Sequence, residues 1–125
     1  ARALVTRGLA ATGDPAPQLV EPSMPLFLHY YAANIAVGSR PFDGVEAALD
    51  ALADAGCTLS ICTNKPTHLA TALIEALGWQ DRFAAIIGAT SVATPKPHAD
   101  HVFATLAAAG GEAATAAFVG DSATD

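Results

Sequence analysis

The chain has 125 residues, of which 52% are hydrophobic, and this is enough apolar material for the core of about one domain. Twelve acidic residues outnumber six lysines and arginines, which gives a net charge of −6 and, with no basic run, argues against nucleic acid or an anionic membrane surface as a partner. The most apolar stretch, residues 25–37, is interrupted by His29 and Asn34 and is too short to span a bilayer, so we expect no membrane partner.

The first part of the chain is predicted to be helical. Residues 2–12 show the helical spacing of apolar side chains. Four prolines then predict a turn-rich stretch over residues 13–25. Over residues 26–37 large side chains recur at intervals of three and four, which predicts a second helix that Gly38 ends. Residues 1–38 are therefore predicted to form a separate all-helical unit.

The short linker of residues 39–44 is the predicted domain boundary. Directly after it, Asp43 and Glu46 have the spacing of a capping box at the start of a helix. Gly56 is typical of the residue that follows a helix end. The face of this helix predicted to lie inward consists of Val45, Ala48, Leu49 and Leu52.

The remaining sequence alternates between strands and helices. Apolar runs at residues 58–62, 84–87 and 116–119 are predicted strands, and helices are predicted to begin at Pro66 and Pro97. This alternation implies parallel strands joined by right-handed crossovers, which is an open α/β layer. The residues of the last helix predicted to face inward are Val102, Phe103 and Leu106.

Neither the cysteines nor the histidines indicate a metal site. Cys57 and Cys62 have no metal-ligating neighbours in the sequence, so they are predicted to be buried free thiols in a reducing, cytoplasmic compartment. No signal peptide is visible, which agrees with that compartment. His98 and His101 lie three residues apart on one predicted helix, but no third ligand accompanies them and zinc is disfavoured. Contact between His98 and a substrate stays open as an alternative.

Polar residues follow each of the predicted strands. Because ligands bind outside the carboxyl ends of the strands in open α/β sheets, Thr63, Lys96 and Asp121 are predicted to converge on one edge. A hydroxyl and an ammonium group donate to phosphate oxygens. A carboxylate would repel phosphate unless a hard cation such as Mg²⁺ lay between them. Each residue alone is more typical of a helix cap or a solvated loop, and the combination predicts a phosphate site.

Three motifs follow the predicted strands, namely Thr63-Asn64-Lys65-Pro66, Lys96-Pro97, and Gly120-Asp121-Ser122 with Asp125. These motifs resemble those of the haloacid dehalogenase-like hydrolase superfamily, and most closely its phosphoglycolate phosphatase-like group. The resemblance runs from about residue 26 to residue 125. It implies a Rossmann-like α/β core of parallel strands over residues 45–125. It also implies that residues 1–38 are part of a helical cap domain and that residues 39–44 are the hinge between the two.

The resemblance also implies a role for each matching residue. Thr63 would donate to the phosphoryl group, and Asn64 would help to position that group. Lys96 would hold phosphate and nucleophile together. Asp121 would be a direct Mg²⁺ ligand, and Asp125 would support the metal from its outer shell.

The resemblance is incomplete in one respect. The nucleophile of the family is the first aspartate of an N-terminal D-x-D motif, and the second aspartate is its acid and base. This sequence contains no D-x-D. We therefore expect the nucleophile to precede Ala1 in a longer parent chain. The strand that carries it would lie between the strands that end at Thr63 and Asp121, so the sheet of this chain is predicted to lack its central strand.

The function that the resemblance implies is a Mg²⁺-dependent phosphatase for a small phosphorylated metabolite, with 2-phosphoglycolate as the candidate substrate. The reaction would pass through an aspartyl-phosphate, and the 125-residue chain by itself is predicted to be inactive. A sugar-phosphate mutase or a pyrophosphatase of the same superfamily is one alternative. A non-catalytic fragment or phosphate-binding domain is the other.

Overall fold

The computed structural model describes residues 1–13 and 17–125. The chain divides into two compact units, Ala1–Val37 and Gly38–Asp125. Within the described residues, no helix is both long enough and apolar enough to cross a membrane. That the first unit is part of a cap domain and the second part of a catalytic core stays a prediction.

The first unit consists of two helices that contact each other, α1 (Arg2–Ala11) and α2 (Val20–Ala33). A short 3₁₀ turn, Pro17–Leu19, leads into α2. Each helix buries one apolar side chain, Val5 in α1 and Val20 in α2. The predicted first helix is therefore confirmed to within one residue.

The predicted turn-rich stretch over residues 13–25 is wrong from Val20 onward, because α2 already begins there. Its middle part, residues 14–16, lies outside the described residues. Pro22 lies in the first turn of α2, where backbone N–H groups have no acceptor within the helix and a proline is tolerated. Pro25 lies inside the helix and removes one backbone hydrogen bond.

The α2 helix ends at Ala33 and not at Val37 as predicted. Asn34 leaves the helical conformation with φ −121°. Its side-chain amide donates to the carbonyl oxygen of Tyr30 at 2.8 Å. This bond satisfies one of the carbonyl groups that a helix end leaves without a partner, so the asparagine ends the helix before the glycine that follows.

The second unit is an α/β layer, as predicted. Strands β1 (Ser60–Thr63) and β2 (Ala85–Gly88) are parallel, and their register pairs Ser60 with Ala85 and Thr63 with Gly88. The two predicted strands are therefore confirmed, although both end one residue later than expected. The helices of this unit are α3 (Val45–Asp54), α4 (Thr67–Ala76) and α5 (Ala99–Ala108), and its 3₁₀ turns are Gln80–Arg82, Ala89–Ser91 and Ala113–Thr115.

Two helices cover this small sheet. The α4 helix packs on β2 and buries Leu69, Ala70 and Ile74, while α5 packs on both strands. The buried residues of α5 are polar, His101 and Thr105. The prediction that Phe103 faces inward is wrong, because this residue is 55% exposed.

The predicted capping box before α3 is not formed. The N-cap residue of α3 is Gly44, with φ 85°, and the backbone N–H of Val45 donates to the carbonyl oxygen of Phe42 at 3.1 Å. This turn places Asp43 one residue before the cap position, too early for its side chain to act as the cap. Of the face predicted to lie inward, Ala48 and Leu52 are exposed.

The predicted third strand over residues 116–119 is not formed. Ala116 is extended, but within the part of the chain that the structure describes the sheet contains β1 and β2 alone. A groove of about 890 Å³ is lined both by β1 and by the segment that contains Phe118 and Val119. The two segments therefore border the same open space, and the backbone of residues 116–119 lacks the neighbouring strand that a ladder requires.

Both cysteines are free thiols, as predicted, but neither is fully buried, because Cys57 is exposed and Cys62 is half-buried. Cys57 follows α3 in a turn in which its backbone N–H donates to the carbonyl oxygen of Leu52 at 3.0 Å. Ser60, which lines the same groove as Cys57, has a buried hydroxyl with no hydrogen-bond partner among the described residues. Cys57, which the sequence pattern assigns to the interior of the unit, therefore lies exposed at the groove.

Candidate active site

The loops that follow β1 and β2 touch at the carboxyl edge of the sheet. Because the strands are parallel and Thr63 pairs with Gly88, both loops begin at the same edge. The backbone N–H of Ala89 donates to the carbonyl oxygen of Lys65 at 3.0 Å. A Cβ atom on Gly88 would lie 2.4 Å from that carbonyl oxygen and 2.5 Å from the backbone nitrogen of Thr67. Glycine at this position is therefore what allows the first loop to approach the end of β2.

Hydroxyl groups join the same two loops at the start of α4. The backbone N–H of Thr67 donates to the Thr90 hydroxyl at 3.0 Å. The Thr67 hydroxyl lies 2.6 Å from the hydroxyl of Ser91. The helix begins at Thr67, with Pro66 as its N-cap and not as its first residue. These bonds fix the loop of the first motif against the end of the second strand.

The backbone of Lys96 is held on both sides by side chains. Its N–H donates to Nδ1 of His101 at 3.2 Å, and its carbonyl oxygen accepts the side-chain amide of Asn64 at 2.9 Å. The peptide bond that follows, Lys96–Pro97, is cis. The lysine loop is therefore attached both to the end of β1 and to α5.

The α5 helix begins at Ala99, two residues later than the predicted start at Pro97, and His98 is its N-cap. Nδ1 of His98 accepts the backbone N–H of Asp100 at 3.3 Å. The His98 side chain is 54% exposed and also lies 3.3 Å from the Asp100 carboxylate. The structure thus gives His98 a helix-capping contact, and its contact with a substrate stays a hypothesis.

The ammonium group of Lys96 forms an ion pair with the carboxylate of Asp125. The Lys96 side chain is 9% exposed and the Asp125 side chain 13%. The Lys96 ammonium also lies 5.0 Å from the centre of the Phe118 ring, within the range of a cation–π contact. Because both charged groups are largely shielded from water, their attraction is stronger than that of a surface pair.

Asp125 is held in place by the turn that precedes it. One of its oxygens accepts both the backbone N–H of Ser122 at 3.0 Å and the Ser122 hydroxyl at 2.6 Å. A Cβ atom on Gly120 would lie 2.2 Å from the Asp125 side chain, so the turn requires glycine there. The hydrogen bond from Lys96, followed by those from Ser122, lowers the pKa of Asp125 from 3.8 to about 2.

The Asp125 carboxyl group is expected to titrate with a midpoint near pH 2 in the folded protein. Because its folded-state pKa is below its ordinary value of 3.8, the carboxylate stabilises the fold above that pH, and the contribution is lost as the pH falls towards 2. Lys96→Ala removes the hydrogen bond that lowers the pKa of Asp125 most, so this substitution should raise the midpoint of the titration. A carbon-detected NMR titration of the carboxyl group measures both values. A midpoint near 3.8 in the unsubstituted protein would contradict the ion pair.

The structure brings three of the predicted site residues into direct contact, since Asn64 and Asp125 both bind Lys96. Thr63 ends β1 and accepts the backbone N–H of Lys65 on its hydroxyl oxygen at 3.2 Å. That bond uses an oxygen lone pair and leaves the hydroxyl proton able to donate. Asp121 is exposed and belongs to the turn that holds Asp125. The amide of Asn64 binds the lysine loop, which the sequence did not indicate.

The carboxylates fit one side of a Mg²⁺ site. Across residues 1–13 and 17–125, no group of three or more histidine, cysteine or acidic side chains could hold a metal by itself. Mg²⁺ commonly uses one or two carboxylates together with waters and a substrate phosphate. The exposed carboxylate of Asp121 suits that role. Both oxygens of Asp125 are engaged by Lys96 and Ser122, so Asp125 suits an outer-shell position.

Sequence reasoning missed two residues that touch Lys96, namely His101 and Phe118. The sequence pattern of His98 and His101 raises a metal ligand as the one role for His101, although His101 shares a helix face with Thr105, four residues later. Two polar residues at that spacing indicate buried hydrogen bonds only when the face of the helix that carries them is known to be buried. Phe118 is predicted to be a strand residue, and no local signal in the sequence indicates that its ring lies near an ammonium group.

Comparison with known proteins identifies the family. The sequence model of the haloacid dehalogenase-like hydrolases matches residues 8–125. A crystal structure of a haloacid dehalogenase-superfamily hydrolase from Ehrlichia chaffeensis aligns with a TM-score of 0.54 and 21% identity over 72% of this chain and 52% of that one. The likeness in structure confirms the Rossmann-like α/β fold. The chain belongs to the haloacid dehalogenase-like hydrolase family.

Three curated relatives of this chain share one name, phosphoglycolate phosphatase. A phosphoglycolate phosphatase from Caulobacter vibrioides is 45% identical over 130 residues, which cover 100% of this chain and 53% of the relative. The corresponding protein of Agrobacterium fabrum is 39% identical over 126 residues, 100% of this chain and 54% of the relative. That of Mesorhizobium japonicum is 48% identical over 100 residues, 80% of this chain and 44% of the relative. The chain therefore spans about half the length of the curated relatives that it matches.

Proposed function

We propose that this chain supplies the phosphate-binding part of a Mg²⁺-dependent phosphatase for a small phosphomonoester. The observation that carries the proposal is the Lys96 ammonium, which is 9% exposed, is paired with Asp125 and is fixed through its own backbone at the carboxyl edge of the sheet. The name shared by three relatives makes 2-phosphoglycolate the candidate substrate. The free thiols of both cysteines support a cytoplasmic location.

Lys96 and Thr63 are the proposed donors to the phosphoryl oxygens. An ammonium group has three donors, and the ion pair with Asp125 engages one of them. The other two are available to a phosphoryl group, and the shielded position strengthens each bond that they form. The Thr63 hydroxyl, at the end of β1, is the second proposed donor to the phosphoryl group, and it is uncharged. Asn64 acts through its bond to the lysine loop.

Asp121 is the proposed Mg²⁺ ligand, and Asp125 supports the metal and Lys96 from the outer shell. When bound, Mg²⁺ neutralises negative charge on the phosphoryl oxygens. Without such a cation, the carboxylate of Asp121 would repel the phosphate that Lys96 attracts. The ion pair and the Ser122 hydrogen bonds keep Asp125 ionised, so the Lys96 ammonium keeps its charged partner.

The nucleophile is proposed to be an aspartate from a segment that precedes Ala1. The curated relatives are about twice as long as this chain, and the protein that joins this chain to such a segment is called the parent protein below. In it, the aspartate attacks phosphorus, the alcohol leaves, and water then cleaves the aspartyl-phosphate. Lys96 and Thr63 stabilise the charge on the transferring group in both steps.

The parent protein is expected to release phosphate from 2-phosphoglycolate in the presence of Mg²⁺ and to stop when a chelator is added. Asp121→Asn should lower turnover roughly 10²-fold or more and raise the Mg²⁺ concentration required, because the metal loses a charged ligand. Asp54→Asn, at the exposed end of α3, is the matched control and should leave turnover unchanged. Inorganic phosphate release measures both variants.

The same assay separates the competing functions. Faster hydrolysis of pyrophosphate than of any phosphomonoester, or transfer of phosphate between two positions of a sugar, would replace the proposal with one of the other activities of the superfamily. Binding of 2-phosphoglycolate without turnover would favour a binding domain. Full activity in the presence of a chelator would contradict the role of Asp121.

A further inference from the structure

His101 is the one large side chain that is fully buried, at 0% exposure, in the part of the chain that the structure describes. Burial of a polar ring is costly unless its nitrogen atoms form hydrogen bonds. Both do. Nδ1 lies 3.2 Å from the backbone nitrogen of Lys96, and Nε2 lies 3.1 Å from the carbonyl oxygen of Ile87 at the end of β2.

These two partners define the state of the ring. The Lys96 N–H is a donor, so Nδ1 of His101 must accept. The Ile87 carbonyl is an acceptor, so Nε2 must carry the proton. The ring is therefore neutral, in the Nε2–H form, and it links the lysine loop to the strand. A doubly protonated ring could not accept the Lys96 N–H.

The sequence around Lys96 explains why this link matters. Lys96 stands between Pro95 and Pro97, and neither proline has a backbone N–H. Lys96 therefore contributes the one backbone donor of this tripeptide, and His101 receives it. On the other side Asn64 donates to the Lys96 carbonyl. The backbone of the lysine is thus fixed between the ends of both strands.

We propose that His101 is a positioning residue that aims the Lys96 ammonium at the phosphoryl group, an assignment that rests on the proposed function of Lys96. The alternative is that His101 only fills the core under α5. The two roles differ in which ring nitrogen matters. Positioning requires the acceptor at Nδ1, whereas core filling depends on the volume of the ring and on its bond to Ile87.

Two substitutions in the parent protein separate these nitrogens. The side-chain oxygen of His101→Asn reaches the position of Nδ1 and can accept the Lys96 N–H. The amide of His101→Gln reaches the position of Nε2 and can donate to Ile87 while losing the acceptor. We expect His101→Gln to lower kcat roughly 10²-fold, the effect of a misplacement of about 1 Å. His101→Asn should stay within about tenfold of the unsubstituted enzyme, and KM should change little in both.

Thr105→Val is the matched control on the same face of α5. It removes a buried hydroxyl that donates to the carbonyl oxygen of His101 at 2.9 Å. It should lower thermal stability without a change in kcat, because it leaves the acceptor for Lys96 in place. Equal losses of kcat in the Asn and Gln variants, in proportion to their losses of stability, would overturn the positioning role.

Two NMR measurements on the parent protein need no activity. Long-range proton–nitrogen spectra should show His101 as the neutral Nε2–H form at neutral pH, and a charged ring or an Nδ1–H form would overturn the proposal. Hydrogen exchange of the Lys96 amide should be slow in the unsubstituted protein and in His101→Asn, and fast in His101→Gln. Equal exchange rates in all three would also overturn it. A parent protein that shows this tautomer and these exchange rates but has no phosphatase activity would contradict the proposed function and leave the His101–Lys96 link in place.

Discussion

Lys96→Ala in the parent protein is expected to lower turnover of the phosphomonoester by roughly 10²–10³-fold, the usual effect of removing one preorganised donor to a developing charge. The substitution removes the shielded cation of the site and leaves the neighbouring carboxylate of Asp125, 13% exposed, without its ion-pair partner. The substrate phosphate would then meet two carboxylates, Asp121 and Asp125, with no protein cation between them. The loss should therefore appear in kcat and, to at least the same extent, in kcat/KM.

The loss must be separated from misfolding, because a partly buried carboxylate without its partner also destabilises the fold. Thermal denaturation of the variant shows the fraction that is folded at the assay temperature, and the rate is then expressed per folded molecule. His98→Ala, two residues away, is the control. It removes an exposed helix cap and should cost about 1 kcal/mol of stability at unchanged turnover. Near-normal turnover of Lys96→Ala would show that Lys96 does not belong to the active site.

Gly88→Ala should lower the free energy of unfolding by about 3 kcal/mol, the upper end of the range for overpacked sites. The added methyl group would lie 2.4 Å from the carbonyl oxygen of Lys65 and 2.6 Å from Cα of Thr67. Both are backbone atoms, which cannot rotate away as the end of a side chain can. The first motif loop must therefore move off the end of β2, and turnover should fall together with stability.

Gly111→Ala is the matched control for this substitution. Its Cβ would lie 3.4 Å from the nearest atom of the Leu106 side chain, which is an ordinary contact. Its stability should change by less than about 1 kcal/mol. Chemical denaturation of both variants, followed by circular dichroism, gives the comparison. Equal stabilities for the two alanine variants would show that the loop after β1 does not need the close approach at Gly88.

The strands that the sequence predicts correctly are those whose partners belong to the same stretch of chain. Residues 58–62 and 84–87 are apolar runs flanked by helices, and they pair with each other as β1 and β2. Residues 116–119 show the same local pattern but no ladder, because pairing depends on a neighbour that an apolar run does not specify. The groove that Phe118 and β1 both line is where we expect a further strand of the parent protein to lie.

For the candidate site, too, the sequence predicts which residues follow the strands but not the contacts that depend on packing. From the sequence, Thr63, Lys96 and Asp121 are expected to follow strands, because the crossover rule brings the ends of parallel strands to one edge of a sheet. The strands before Thr63 and Lys96 form, and the strand expected before Asp121 does not form within the described residues. The sequence does not reveal that Asn64 turns to the lysine loop or that His101 is buried beneath it. Those contacts join residues 32 and 5 positions apart, and only the packed arrangement of loop and helix decides them.

Two helices begin at other residues than the sequence predicts, and in both cases a neighbouring residue is the reason. Pro97 is a good first residue for a helix by its own φ angle, yet α5 begins at Ala99 because His98 supplies the capping nitrogen. Asp43 fits a capping box by spacing, but the positive φ of Gly44 makes the glycine the N-cap. In both cases a neighbour that also suits the cap position overrides the local rule.

In the proposed function, a phosphoryl group binds between Lys96 and Thr63, with a metal at Asp121. A crystal structure of the parent protein with Mg²⁺ and orthovanadate, a mimic of the phosphoryl group in transfer, tests it most directly. We expect vanadate within hydrogen-bond distance of the Lys96 ammonium and the Thr63 hydroxyl. We also expect Mg²⁺ bound to Asp121 and to a vanadate oxygen. Vanadate bound elsewhere, with the Lys96 ammonium in contact with Asp125 alone, would contradict it.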